Sequence, residues 1–351
     1  MKKTFFLPLI FLFFLIYYFL FPVTTDPEMI MSPLAAIDLS RVDGRSLIQL
    51  EKPLRVPDGE YRGVLFPQGK SIVMEESPAR TDFSESHILI ESPEGEYSLR
   101  NMINRKTVRF GGKGHPLVLG SHYLLTDIPG GYLQEVDPDG NALWSWDGVS
   151  PVTALAAGNL CVAFGSLDGR VRIFGKDGSV QILEPVTDEA DRIIYGAALS
   201  ADSSTLAVVA GLEQQTLIFY EKRAGKEYSE VSRFPLDSHY RRTVRMYLTA
   251  GGDFLWIEQP AGLRRYTASG PGILYGVEGG LLSVKSLEDQ GLILILSTAG
   301  RNRTLLSLRS VDGTTLYEDR LDAIPASFDH TGSQLSLVTD GNLLLLTREV
   351  Y

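Results

Sequence analysis

The chain has 351 residues, 44% hydrophobic and 22% charged, with 34 Gly, 18 Pro and a single Cys. This composition excludes a disordered or collagen-like chain, and one Cys excludes a disulfide framework or a Cys-based zinc site. A formal net charge of −10 leaves no basic footprint for nucleic acid.

The first element follows Met1-Lys2-Lys3. No charge occurs from Thr4 to Thr25, and the apolar heart runs from Phe5 to Val23. As a helix this stretch is about 28 Å long, enough to cross a bilayer core. The competing reading is a cleaved signal peptide, whose apolar stretch is normally shorter and ends in a small-x-small site. Phe21-Pro22-Val23-Thr24-Thr25-Asp26 offers no such site, and no Cys follows for lipid attachment. The expectation is therefore an uncleaved transmembrane anchor over residues 1–23, a tether over 24–32 and one folded domain over 33–351. Lys2 and Lys3 keep the N-terminus cytoplasmic by the positive-inside tendency. The domain is then expected on the extracytoplasmic, periplasmic side, anchored by a single pass.

Beyond the anchor the chain reads as all-β. Short runs rich in Val, Ile, Leu, Tyr and Phe alternate with Gly, Asp, Asn and Pro. One turn class carries Gly44, Gly95, Gly140, Gly178, Gly225, Gly270 and Gly313, roughly 45 residues apart, the period of four-stranded blades. Glycine suits such hairpins because their loops need a positive φ. A second class appears as Leu199-Ser200-Ala201-Asp202-Ser203-Ser204-Thr205-Leu206, again at Phe328 to Leu335, and more loosely at Leu248 to Leu255 and Phe66 to Ile72. One repeat is legible throughout: Thr153 to Ala157 as inner strand, Leu160 to Ser166 as second, Arg170 to Phe174 as third and Val180 to Leu183 as outer strand.

These repeats resemble those of the WD40-like and quinoprotein-like β-propellers. The stretch Val136 to Trp146, with Trp144 and Trp146 after the Asp139-Gly140 turn, is similar to the outer hairpin of quinoprotein-like blades. The resemblance implies a seven-bladed β-propeller. The last repeat supplies three strands, Ile324 to Asp329, Ser333 to Thr339 and Asn342 to Arg348. Arg45 to Lys52 is then expected to complete that blade as its outer strand, because closure removes exposed sheet edges. Leu34 to Leu39 is expected as an additional strand or a pass across the ring.

The residues suggest no catalytic machinery. His87, His115, His122, His239 and His330 show no metal-ligand spacing and read as surface or turn histidines. Asp137 and Asp139 read as a tight turn rather than a calcium loop, whose later ligands are missing. No cofactor and no metal are expected. Charge is the remaining signal. Links between blades and turns between middle strands share one face, the connection face. First-to-second and third-to-fourth hairpins share the other, the hairpin face. Arg80, Arg105, Lys106, Arg109, Lys113, Arg241, Arg242, Arg301 and Arg303 are assigned to the connection face. Asp43, Glu94, Asp137, Asp139, Asp177, Asp202, Asp312 and Asp329 go to the hairpin face. These are either ordinary solvated charges or a docking rim, with Arg105, Arg109, His239, Tyr240, Arg241, Arg242, Arg301 and Arg303 as partner-binding candidates. The resemblance implies a non-catalytic scaffold for envelope proteins. The rival is a hydrolase or lyase with its site in the central funnel, marked by convergent acids or a His with an Arg.

Overall fold

The computed structural model describes residues 29–38, 54–56, 63–68, 71–76, 80–84, 86–127, 131–184, 192–223, 227–287, 291–325, 327–331, 334–339 and 342–350. The expected anchor, most of the tether and Arg45 to Lys52 lie outside these residues. Among the described residues, no helix is long and apolar enough to cross a membrane.

Every described element is a strand, and the strands form eight antiparallel sheets. Blade one has three: β2 (Leu54–Val56), β3 (Gly63–Gln68) and β4 (Ser71–Glu76). Blade two is β5 (Thr81–Phe83), β6 (His87–Glu91), β7 (Tyr97–Asn101) and β8 (Thr107–Phe110). Blade three is β9 (His115–Leu119), β10 (His122–Asp127), β11 (Tyr132–Val136) and β12 (Ala142–Asp147). Blade four is β13 (Val152–Ala157), β14 (Cys161–Ser166), β15 (Val171–Gly175) and β16 (Val180–Leu183), which matches the expected repeat strand for strand. Blade five is β17 (Ile194–Leu199), β18 (Thr205–Ala210), β19 (Thr216–Lys222) and β20 (Tyr228–Pro235). Blade six is β21 (Met246–Leu248), β22 (Leu255–Gln259), β23 (Gly262–Thr267) and β24 (Gly270–Gly276). Blade seven is β25 (Leu281–Leu287), β26 (Leu292–Thr298), β27 (Thr304–Ser310) and β28 (Thr315–Leu321). Blade eight joins β29 (Ser327–Thr331), β30 (Gln334–Thr339) and β31 (Asn342–Val350) to β1 (Met29–Asp38).

Seven of the sheets are four-stranded, consistent with the seven blades expected, and blade one adds a three-stranded sheet among the described residues. Two sequence expectations need correction. The glycine series mixed turn types. Gly95 belongs to the turn between β6 and β7, not to an outer hairpin, and blade two's outer hairpin holds no glycine. Its left-handed position is filled by Arg105, at φ 62°. The Phe66 to Ile72 turn likewise joins the second and third strands of blade one. The closing strand also differs. β1 pairs antiparallel with β31, from Met29 opposite Val350 to Asp38 opposite Asn342. The expected extra strand at Leu34 is part of it, and the tether's last residues belong to it. Met31 explains the choice: it is buried in a leucine cluster with Leu287, Leu296, Leu306, Leu335 and Leu346.

Burial follows position within a blade. All six residues of β14 are buried, because a middle strand meets a neighbouring blade on each side. On β16 Val180 and Ile182 are exposed, as on other outer strands whose residues alternate between neighbour and water. The cores lie between blades. Leu89, Leu99, Tyr123 and Leu125 join blades two and three. Trp144, Phe164 and Phe174 join three and four, with Trp144 stacked 4.3 Å from Phe174. Leu206, Val208 and Ile173 join four and five, and Leu217, Phe219 and Ile257 join five and six. Trp256, Tyr275 and Ile293 join six and seven. The leucine cluster joins seven and eight, and β2 lies against β29, carrying the ring from blade eight into blade one.

Turns on the hairpin face latch consecutive blades. Asn159 N–H donates to Ala201 O at 2.7 Å, and Ala201 N–H donates to Ala250 O at 3.0 Å. The Ser203 hydroxyl accepts from Leu160 N–H at 3.1 Å. Blade three joins this series through His122, which is fully buried and so corrects the surface-or-turn reading. Its Nδ1 lies 2.6 Å from Glu135 Oε1, and its Nε2 lies 2.7 Å from Gly158 O in blade four. Trp144 Nε1–H donates to Glu135 Oε2 at 2.8 Å. Gly158 is needed there: a Cβ would stand 2.2 Å from Ser203 Oγ and 2.5 Å from Ser200 O. Asp137 is committed to its turn, accepting from Asp139 N–H, Asn141 N–H and the Asn141 side chain. These bonds, led by the Asn141 amide, hold its carboxyl below the usual 3.8.

Candidate functional site

The link from β20 to β21, residues 236–245, lies on the connection face and carries four of the candidates. Its shape is set by Gln215, which is fully buried. The Gln215 amide nitrogen donates to Tyr240 O at 2.6 Å. Its carbonyl oxygen accepts the Ser238 hydroxyl at 2.9 Å and Tyr240 N–H at 3.2 Å. Its backbone oxygen takes Leu236 N–H at 2.8 Å. A buried amide is costly unless its groups are bonded, so this one fixes the link in a single course. Sequence reading missed Gln215; a lone Gln at a strand edge carries no pattern.

The four candidates on the link behave differently. His239 Nδ1–H donates to Glu213 O at 2.8 Å and the ring remains exposed. Arg241 stands 3.8 Å from Glu213 Oε1 with both side chains in solvent. Tyr240 is half-buried, and its phenol is raised by burial, with Glu258 adding and Arg242 opposing. The Arg242 guanidinium lies 4.4 Å over the Tyr240 ring. It forks onto Glu258, Nη1 to Oε2 at 2.9 Å and Nη2 to Oε1 at 2.7 Å. The Glu258 side chain is only 7% exposed, so Arg242 neutralises a buried acid. The hydrogen bond to Glu258 raises Arg242 above its ordinary value.

The other candidates are dispersed. Arg301 and Arg303 flank Asn302 in the turn between β26 and β27, on the same face, with Arg303 Nε 2.9 Å from Asp322 Oδ1. Arg105 and Lys106 belong to the β7–β8 hairpin and so lie on the hairpin face, where Lys106 pairs with Asp139 at 2.9 Å. Arg109 is exposed along the outer strand β8, on neither face. Glu94, in the β6–β7 turn, moves to the connection face. Asp329 falls within β29, and Asp43 lies outside the described residues. The expected Arg-rich rim is a mosaic of pairs: Lys113 with Asp147, Arg170 with Glu184, Arg172 with Asp168. The sequence assignment overlooked acids at strand ends, where Asp147 and Glu258 sit.

Behind the link opens a cavity of about 710 Å³, walled by strands of four consecutive blades. Ala154 and Leu155 of β13, Ala197 of β17, Met246 and Tyr247 of β21, and Leu281 to Val284 of β25 line it. All four of these strands open their blades next to the ring axis, and Thr243 Oγ1 reaches Thr153 O across blade five at 3.4 Å. The cavity is therefore the central funnel. Its polar wall holds Arg242, Arg245, Thr243, Ser283 and Glu258, with Glu258 the one acid among the described lining residues. Among the described residues no group of three or more His, Cys, Asp and Glu is arranged to hold a metal.

A ring of four-stranded blades, closed between the first and last strands, decides the family. A family model described as a beta-propeller protein matches residues 1–347. The chain belongs to the beta-propeller protein family. An uncharacterized protein of Treponema pallidum (strain Nichols) is 23% identical over 278 residues, covering 75% of this chain and 72% of that one. Among solved structures, BamB from Moraxella catarrhalis superposes with a TM-score of 0.59 at 14% identity, covering 91% of this chain and 98% of its own. The computationally designed Ika8 protein gives 0.60 at 13%, covering 87% and 99%. A chain of the mitotic checkpoint complex gives 0.52 at 14%, covering 93% and 98%. At these identities the likeness carries the fold.

Proposed function

We propose that this beta-propeller protein is a non-catalytic scaffold that binds a protein partner through its connection face, centred on the 236–245 link. The observation that carries the reading is the Gln215 anchor. A link held by a buried side chain presents His239 and Arg241 from a backbone that is already ordered, which lowers the ordering cost at binding. The neighbouring Tyr240 and Arg242 add the aromatic and cationic composition favoured at contact centres. The funnel supports the non-catalytic reading over the hydrolase or lyase, because among its described lining residues the single acid is already engaged by Arg242 and no His stands with the arginines. The apolar run from Phe5 to Val23 supports an anchored protein facing outward from the cytoplasmic membrane, with a partner in the cell envelope.

The test is crosslinking in intact cells followed by identification of the captured proteins, comparing the wild type with His239→Ala/Arg241→Glu. Both positions are exposed, so the ring stays folded. The reading requires that a specific envelope protein be captured by the wild type and lost from the variant. Equal capture by both removes the link from the interface. Arg242→Glu is unsuitable, because it would place a second acid against Glu258.

A further inference from the structure

We propose that the central funnel is a binding site for a monoanionic carboxylate carried on an apolar body, with Arg245 as its clamp. Glu258 has both carboxylate oxygens taken by the Arg242 fork. Its backbone N–H is bonded to Arg245 O at 3.0 Å. Arg245 Nη1 stands 3.8 Å from Glu258 Oε1, beyond hydrogen-bond distance. Among the described residues the Arg245 guanidinium makes no hydrogen bond, and its side chain is 49% exposed where it lines the cavity. Two guanidinium groups against one carboxylate leave one positive charge in the wall, within a chain of net charge −10.

The chemistry of the wall selects the ligand. A guanidinium fork with unclaimed donors matches a carboxylate in bidentate geometry. One surplus charge balances a monoanion, whereas a dianion would remain undercompensated. The remaining wall, with Leu155, Ala197, Met246, Leu281 and Val284, offers apolar surface to the body of the ligand. A volume of about 710 Å³ falls in the range of small-molecule sites. The source is the C-terminus of a polypeptide or a free amphipathic acid; both present the same head and body. The inference concerns the same face as the docking link, but its test needs no partner protein, so either can fail without the other.

The full-length protein in detergent is titrated by calorimetry with acetyl-leucyl-phenylalanine, its carboxamide, 4-phenylbutyrate and dibutyl phosphate. The site binds one or both acids saturably, and the carboxamide about tenfold or more weakly, since it lacks the charge that strengthens the hydrogen bonds. Arg245→Gln lowers acid binding by a similar factor, and Arg245→Lys less, with an unchanged unfolding midpoint for both. Binding of the peptide acid alone assigns a polypeptide C-terminus; binding of both acids assigns the shared carboxylate chemistry. Equal binding of acid and carboxamide, no saturable binding of either acid, an unaffected Arg245→Gln variant, or tighter binding of dibutyl phosphate each overturns the proposal.

Discussion

Replacing His122 with Ala removes the histidine from the latch between blades three and four. Glu135, 1% exposed, loses the partner at 2.6 Å, and Gly158 O loses the donor at 2.7 Å. Trp144 Nε1–H stays on Glu135 at 2.8 Å but supplies only one bond to a buried acid. Removing one member of a buried pair costs about 3–5 kcal/mol. Glu135→Gln is the contrast. The amide oxygen still accepts from Trp144, and the amide nitrogen donates to His122 Nδ1 while Nε2–H stays on Gly158. One amide hydrogen is left without a partner, so the cost is about 1–2 kcal/mol. Equilibrium denaturation in urea reads both values from midpoint and slope. A His122→Ala variant within about 1 kcal/mol of wild type, or a Glu135→Gln variant that loses more than it, would refute the latch.

Other substitutions separate structural from contact roles. Gly158→Ala forces a Cβ against Ser203 Oγ and Ser200 O, and should cost about 1–3 kcal/mol by the same denaturation assay. Arg242→Gln strands Glu258 and should cost about 1–2 kcal/mol, less than a fully buried pair because Arg242 is about half exposed. Arg241→Glu, on an exposed side chain, should stay within about 0.5 kcal/mol. Acid sensitivity follows from Asp202. Burial raises its carboxyl, but bonds from Ser200 Oγ and from Ser204 N–H and Oγ–H outweigh it and hold the folded-state value below 3.8. A depressed carboxyl stabilises the fold above the unfolded value, and the contribution fades as pH falls through the lower folded value. Asp202→Asn should therefore lower the thermal midpoint at pH 7, with the gap to wild type closing as pH drops below about 3.8; a gap independent of pH contradicts the assignment.

Legibility in the sequence tracked local constraint. Blade four could be read because each strand is bounded by its own turn, with Asp177-Gly178 punctuating the outer hairpin. Blade two could not, because Arg105 adopts the left-handed φ that a glycine would have signalled. The closing strand was misplaced because pairing between residues 29–38 and 342–350 is set by tertiary packing, with Met31 in the leucine cluster, and no local pattern distinguishes it from the segments that follow. His122 looked like a turn histidine because its partners, Glu135 and Gly158, are distant in sequence. On the connection face the sequence pointed to His239 through Arg242 as a cluster. It could not show that Arg242 serves Glu258, since that acid is brought near by the β22 strand rather than by proximity in the chain.

The ring depends on the beginning of the domain completing its end, and one crosslink tests that directly. Ser32 and Thr347 stand opposite each other in the β1–β31 ladder. Cysteines at both positions, with Cys161 changed to Ala, should oxidise to an intramolecular disulfide that closes almost the whole chain into a loop. The product should run faster than the reduced form on a denaturing gel, without dimer. Failure to form this bond, or its appearance only between two molecules, would contradict a closed ring.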